Sequence, residues 1–215
     1  VRDGFVARVA LNRPEGRNAF DAELIEQLKE TYSALSHDPS VKVIVLSGEG
    51  KVFCGGADVN WMKASLSLTQ VQNREDALRM AEMFRLLDEC PKFTIGRIHG
   101  AAMGGGSGLV ATCDTVIAAE NAKFAFSEVK LGIIPAVISN FVIPKIGVGH
   151  ARRLFLTGET FSATRAFEIG LVHHVVPENQ LDVAVNELIQ LIATAGPNAV
   201  AEAKALIQAT SGLKR

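Results

Sequence analysis

The sequence predicts an α/β protein with at least partly parallel strand pairing. Three observations carry this. Short apolar or β-branched runs alternate with longer stretches whose apolar residues recur at helical spacing. Glycine-rich loops stand between strand and helix at two places, FCGGADV from Phe53 to Val59 and MGGGSG from Met103 to Gly108. A chain of 215 residues, 48% hydrophobic and 21% charged, is large and apolar enough for a sizeable core.

Taken in order, Val6 to Leu11 alternates as a strand, and the loop NRPEGRNAF (Asn12 to Phe20) follows. Asp21 is a good N-cap for a helix carrying Leu24, Ile25, Leu28, Tyr32 and Leu35 on one stripe. Val41 to Ser47 reads as a buried strand. Thr69 to Glu89 reads as a long amphipathic helix stopping before Pro91. Phe93 to Ile98 is a third strand feeding the triple glycine, and Ser107 to Cys113 suits a short buried helix. Thr115 to Ala119 is a fourth strand, with a fragment at Ala125 and Phe126. The segment LGIIPAVISNFVIPKIG, apolar and broken by proline, reads as loop and short helix. Helices then dominate: Gly149 to Leu156, Ser162 to Ile169, Glu178 to Thr194 and Pro197 to Thr210, with a short strand in LVHHVV.

Balanced charge, 22 basic against 23 acidic residues, gives no overall attraction to nucleic acid or an anionic membrane. No apolar run is as long as a membrane span, and the first residues lack a signal-peptide core. The expectation is a cytoplasmic protein with neither nucleic-acid nor membrane partner. Cys54, Cys90 and Cys113 are widely spaced and include no CxxC pair, and the five histidines lack ligand spacing. Neither disulfides nor a metal is expected, and Cys54 reads as a small packing residue.

Chemistry is suggested by the glycine loops and one acid. A glycine turn entering a helix offers unpaired N–H groups and a partial positive charge, which suits an anion or developing oxyanion. Glu128, in an apolar stretch with Phe124, Phe126, Val129 and Leu131, should resist ionisation through desolvation. Asp58 reads as a local N–H acceptor fixing its loop. Trp61 and Met62 suit either an acyl pocket or helix-start packing, His99 a strand position with a satisfied ring, and Ser107 lacks the partner a serine peptidase needs.

The two glycine loops, NRPEGRNAF, and SEVKLGIIP from Ser127 to Pro135 together resemble the crotonase, or enoyl-CoA hydratase/isomerase, superfamily over essentially the whole chain. The resemblance implies a crotonase-like spiral of ββα units at 1–195, then the start of a C-terminal helical oligomerisation region at 196–215, with further helices after it. It also implies acyl-CoA thioester substrates, no cofactor beyond the coenzyme A of the substrate, and a homotrimer or hexamer. The backbone N–H groups of Ala57 and Gly105 would form the oxyanion hole. Arg17, Asn18 and Ala19 on one side, and Gly55, Gly56, Ala57 and Asp58 on the other, would hold coenzyme A.

One departure bears on the reaction. Family hydratases with two catalytic glutamates carry the first where this chain has Gly108 and the second where it has Glu128. Glu128 therefore stands alone as acid and base, and the single acid favours an isomerase. PAVISNFVIPKIG, with FCGGADVNWM and SEVKLG, is instead similar to bacterial methylglutaconyl- and isohexenylglutaconyl-CoA hydratases of leucine and terpene breakdown. On that likeness the expected activity is enoyl-CoA hydration, with Ser139 and Asn140 shaping a pocket for a branched dicarboxylic chain. The alternatives are Δ3,Δ2-enoyl-CoA isomerisation and acyl-CoA binding without turnover.

Overall fold

A computed structural model describes residues 1–210 of the chain. Its main sheet has six strands. The edge strand β1 (Arg2–Asp3) is antiparallel to β2 (Val6–Leu11). Parallel to β2 and in sheet order follow β3 (Val43–Gly48), β4 (Phe93–Ile98), β6 (Thr115–Ala119) and β9 (His174–Val176). A parallel sheet is covered on both faces, so its central strands read as continuous apolar runs, as in VIVLSG. A smaller sheet holds β5 (Ala101–Met103), β7 (Lys123–Ala125) and β8 (Thr160–Ser162).

The two sheets are joined by a repeating path. Each of four successive main-sheet strands is followed by a short extended segment in the second layer and then by a helix. After β2 the segment is at Phe20, and helix α1 (Ala22–His37) follows. After β3 it is Cys54 to Ala57, then α2 (Val59–Ser65) and α3 (Gln70–Asp88). Then come β4, β5 and α4 (Gly105–Thr112), and next β6, β7 and α5 (Ala136–Thr157). Single parallel bridges, Phe20 to Ala57 and Cys54 to Ala102, link neighbouring turns where the second layer is too short for a strand. The path is a spiral, and the same point of each turn lies beside that of the next.

Helix starts follow the expected chemistry. Asp21 caps α1 by accepting from the Leu24 N–H, and Thr69 with Gln72 forms a capping box on α3. Helix α4 is buried along 106–112, which its small and apolar residues permit. Beyond β8 lie α6 (Ala163–Glu168), α7 (Leu181–Ala193) and α8 (Pro197–Thr210). Of the expected 196–215 region, residues 211–215 lie outside those described.

Three expectations need correction. The segment read as loop and short helix is loop up to Pro135 and helix from Ala136, but that helix is not separate from the one expected at 149–156: the two join as α5 across a kink at Gly147 (φ 76), ending at Thr157. Pro135 sits at its N-cap and Pro144 just before the kink, while Ile138, Phe141, Val142 and Ile146 are buried; burial of that apolar face outweighs the proline penalty. The fragment expected at 125–126 is β7, two residues earlier. The segment LVHHVV supplies only His174–Val176 to a strand.

Candidate active site

Three of the residues picked from sequence lie at equivalent points of successive spiral turns: Ala57 before α2, Gly105 at the start of α4, and Glu128 just after β7. All three line one cavity of about 300 Å³. Phe20, Trp61, Met62, Met80 and residues 133–138 supply most of its apolar wall.

Gly104 makes the approach of two of these turns possible. Its φ of 49° and ψ of −119° are accessible to glycine, and its N–H donates to the Ala125 carbonyl at 2.8 Å. A Cβ at this position would lie 3.1 Å from Glu128 Oε1. Among the described residues, no carbonyl accepts from the Ala57 or Gly105 N–H. Those donors remain for a bound group.

Glu128 opens a single turn of 3-10 helix, Glu128–Leu131, that ends at Gly132. Burial holds its carboxyl above the ordinary glutamate value of 4.5, and Oε2 is buried with no hydrogen-bond partner. The surroundings differ in part from those expected. Phe124 and Phe126 belong to the core, but Leu131 is exposed; Ile133, Ile134 and Pro135 in the cavity wall supply apolar surface in its place.

The segments expected to flank coenzyme A lie side by side. The Gly55 N–H donates to Arg17 O at 2.8 Å, Phe20 N–H to Gly56 O at 2.7 Å and Asp58 N–H to Phe20 O at 2.8 Å. Arg17 is exposed, Gly55, Ala57 and Asp58 are half-buried, and Ala19 and Gly56 are buried. Asn18 is fully buried, and its amide donates to Glu49, Val52 and Phe53 carbonyls while its oxygen accepts from the Arg13 N–H. Its side chain ties this loop to the one after β3. Of this group only Ala57 lines the cavity. Asp58 accepts from the Asn60 and Trp61 N–H groups, capping α2 and fixing the turn that carries Ala57.

Sequence reasoning missed Arg13, which contacts Asp21 at 2.8 Å, Asp58 at 3.8 Å and the Ala19 carbonyl at 2.8 Å. A lone arginine in a proline loop carries no periodic signal; only the fold reveals that it joins Asp21 to Asp58, the acids that cap α1 and α2. Trp61 and Met62 line the cavity, whereas Ser139 and Asn140 do not, and the Ser139 hydroxyl donates to Ala136 O. Ser107 is buried, with its hydroxyl on the Ala102 and Ala125 carbonyls. Burial raises the Cys54 thiol to about 12. The ring of His99 is only half satisfied: Nε2 meets Gly50 O at 2.9 Å, and buried Nδ1 has no partner.

The family model described as enoyl-CoA hydratase/isomerase matches residues 2–215. The chain belongs to the enoyl-CoA hydratase/isomerase family. Crotonyl-CoA hydratase of Syntrophomonas wolfei is 35% identical over 202 residues, covering 93% of this chain and 76% of the relative. Peroxisomal Delta(3,5)-Delta(2,4)-dienoyl-CoA isomerase of Arabidopsis thaliana is 34% identical over 218 residues, covering 95% and 78%. Among solved structures, Pseudomonas aeruginosa AtuE matches with a TM-score of 0.96 at 33% identity, over 99% of this chain and 83% of that one. The spiral is therefore the crotonase fold, and this member of the enoyl-CoA hydratase/isomerase family departs from the two-glutamate pattern at Gly108. A Cβ there would lie 2.4 Å from Ile138 Cγ2 and 3.0 Å from Phe84 Cε1, so packed side chains occupy the space a second acid would need.

Proposed function

We propose that this protein hydrates an α,β-unsaturated acyl-CoA thioester in the cavity that joins Ala57, Gly105 and Glu128. The observation that carries this reading is the convergence of two unengaged backbone N–H groups and one desolvated carboxylate on a single apolar cavity. The thioester oxygen would accept from the Ala57 and Gly105 N–H groups. One such donor is typically worth about 3–4 kcal/mol in the transition state, where charge on that oxygen is greatest. Glu128 takes a proton from water as the water oxygen bonds to the β carbon and the π electrons shift to the thioester oxygen. It then returns that proton to the α carbon as the enolate collapses. One carboxyl completes the cycle, and the net change is addition of one water.

Coenzyme A would follow the ledge made by Arg17, Gly55, Ala57 and Asp58. The carboxylate's isolation favours a second reading, Δ3,Δ2-enoyl-CoA isomerisation, in which Glu128 removes the α proton and delivers it to the γ carbon. Assembly into trimers or hexamers, implied by the family likeness, would be checked by light scattering. A branched glutaconyl-type substrate was expected to use Ser139 and Asn140; with both outside the cavity lining, that choice rests on the likeness alone.

Wild type and Glu128→Gln are to be assayed with crotonyl-CoA for hydration and with a 3-enoyl-CoA for isomerisation. We expect hydration by wild type and a loss of at least about a hundredfold in the variant, the usual scale for a positioned acid/base group. Isomerisation without hydration would decide for the second reading. Binding of both thioesters without any turnover would leave an acyl-CoA-binding protein, and activity unchanged in Glu128→Gln would overturn the role of Glu128.

A further inference from the structure

The cavity has a second polar wall, apart from the proton-transfer group. It consists of Ser65 at the end of α2 and of Asn73 and Asp76 on the first turns of α3. What it offers depends on where its hydrogens are spent. The Ser65 hydroxyl donates to Met62 O at 2.7 Å. The Asn73 amide donates to Ser65 O at 3.0 Å and to Leu68 O at 3.3 Å, using both its N–H groups. Asp76, as a carboxylate, has acceptors only. The groups left to engage a bound molecule are oxygen lone pairs.

No arginine, lysine or histidine is among the lining residues. Arg79 reaches Asp76 at 3.4 Å, but its side chain is 57% exposed and stands outside the lining. With Glu128, the cavity has two carboxylates and no cation of its own. Its volume, about 300 Å³, accommodates a short acyl chain.

We propose that this acceptor-only wall sets the substrate class: it favours an acyl chain bearing a hydrogen-bond donor, such as a hydroxyl beyond the double bond, and rejects a chain ending in a carboxylate. The inference rests on reading the cavity as the acyl site. A hydroxyl donates to an acceptor on Asp76 or Asn73 and so keeps its O–H paired on leaving water. A terminal carboxylate against this wall would face the Asp76 carboxylate, and neither Ser65, Asn73 nor Asp76 has a donor left to replace its hydration, a repulsive element of the kind that gives specificity. The same argument weighs against glutaconyl-type substrates.

The test is calorimetric binding of three saturated thioesters, butyryl-CoA, 5-hydroxypentanoyl-CoA and glutaryl-CoA, to wild type and to Asp76→Asn. Saturated chains cannot be hydrated, so binding is read whether or not the enzyme turns over. The hydroxylated chain should bind most tightly and glutaryl-CoA at least about tenfold more weakly than butyryl-CoA, a gap that Asp76→Asn should close by about tenfold. Glutaryl-CoA binding wild type as tightly as butyryl-CoA would overturn the proposal, as would ratios unchanged in the variant. A crotonyl-CoA assay run alongside separates the two claims: the expected binding order without turnover supports the wall and removes the proposed hydration. If none of the thioesters binds, both fall.

Discussion

Gly108 shows how a single position closes a chemical option. Any side chain there meets Ile138 and Phe84 at less than normal contact distance. Overpacking of this kind typically costs about 1–3 kcal/mol. Gly108→Ala should therefore lower stability by that amount in urea denaturation, and Gly108→Glu should not raise activity. Glu128 is the converse case, a residue whose chemistry follows from its burial. Its carboxyl releases its proton above the ordinary value of 4.5, so the acid limb of kcat/KM should fall above pH 4.5 and vanish with the residual activity of Glu128→Gln. Folding follows with a definite sign. A carboxyl whose folded pKa is raised contributes its stability fully below the unfolded value and loses it as pH rises through the folded one. Glu128→Gln, neutral throughout, should melt higher than wild type at neutral pH, with the gap closing in acid. Glu128 was legible as an acid among apolar neighbours, whereas the glycine loops suggested only an anion site, and it was the family resemblance that picked out Ala57 and Gly105 within them. Ser65, Asn73 and Asp76 were not legible: on a solvated helix face they look like any other polar residues, and only the cavity distinguishes them.

Helix starts are where this fold fixes its geometry. Asp58 caps α2 and holds the turn bearing Ala57, while Arg13 links Asp58 to Asp21 at the start of α1. Loss of such a cap costs about 1 kcal/mol. Asp58→Ala should show that loss in thermal melting together with a reduced kcat, since a displaced donor weakens transition-state stabilisation more than ground-state binding. Helix α5 carries the opposite lesson. Prolines and glycines read locally as breaks, yet Pro135 occupies a cap and Gly147 absorbs the kink, so the buried stripe between them stays helical. Local propensity located the breaks, and packing determined that helix would form on both sides of one.

Across the whole molecule, the sheet and the helices packed on it form one core, to which α8 is attached differently. No residue of α8 is buried. Lys204 reaches Asp114 at 2.9 Å, and that carboxylate also accepts from the Thr94 N–H and hydroxyl. Gln208 meets the Asp88 side chain at 3.2 Å. Lys204→Ala should accelerate deuterium exchange over 197–210 while leaving β3, β4 and β6 protected, because polar ties opened to water yield before a buried parallel sheet does. No helix among the described residues is long and apolar enough to cross a membrane.

The sequence by itself determined the alternation of strand and helix, the cap at Asp21, the glycine turn before α4 and the identity of the lone acid. These follow from local chemistry: side-chain period, capping oxygens and the freedom of a residue without a Cβ. Tertiary structure decided that three turns of the spiral would bring Ala57, Gly105 and Glu128 to one cavity, that Asn18 would be spent inside the fold, and that Ser139 and Asn140 would stand outside the pocket. It also decided what the acyl wall offers. Which hydrogens of Ser65 and Asn73 remain free depends on carbonyls brought near by the chain's path, and a linear pattern of residue types does not carry that information.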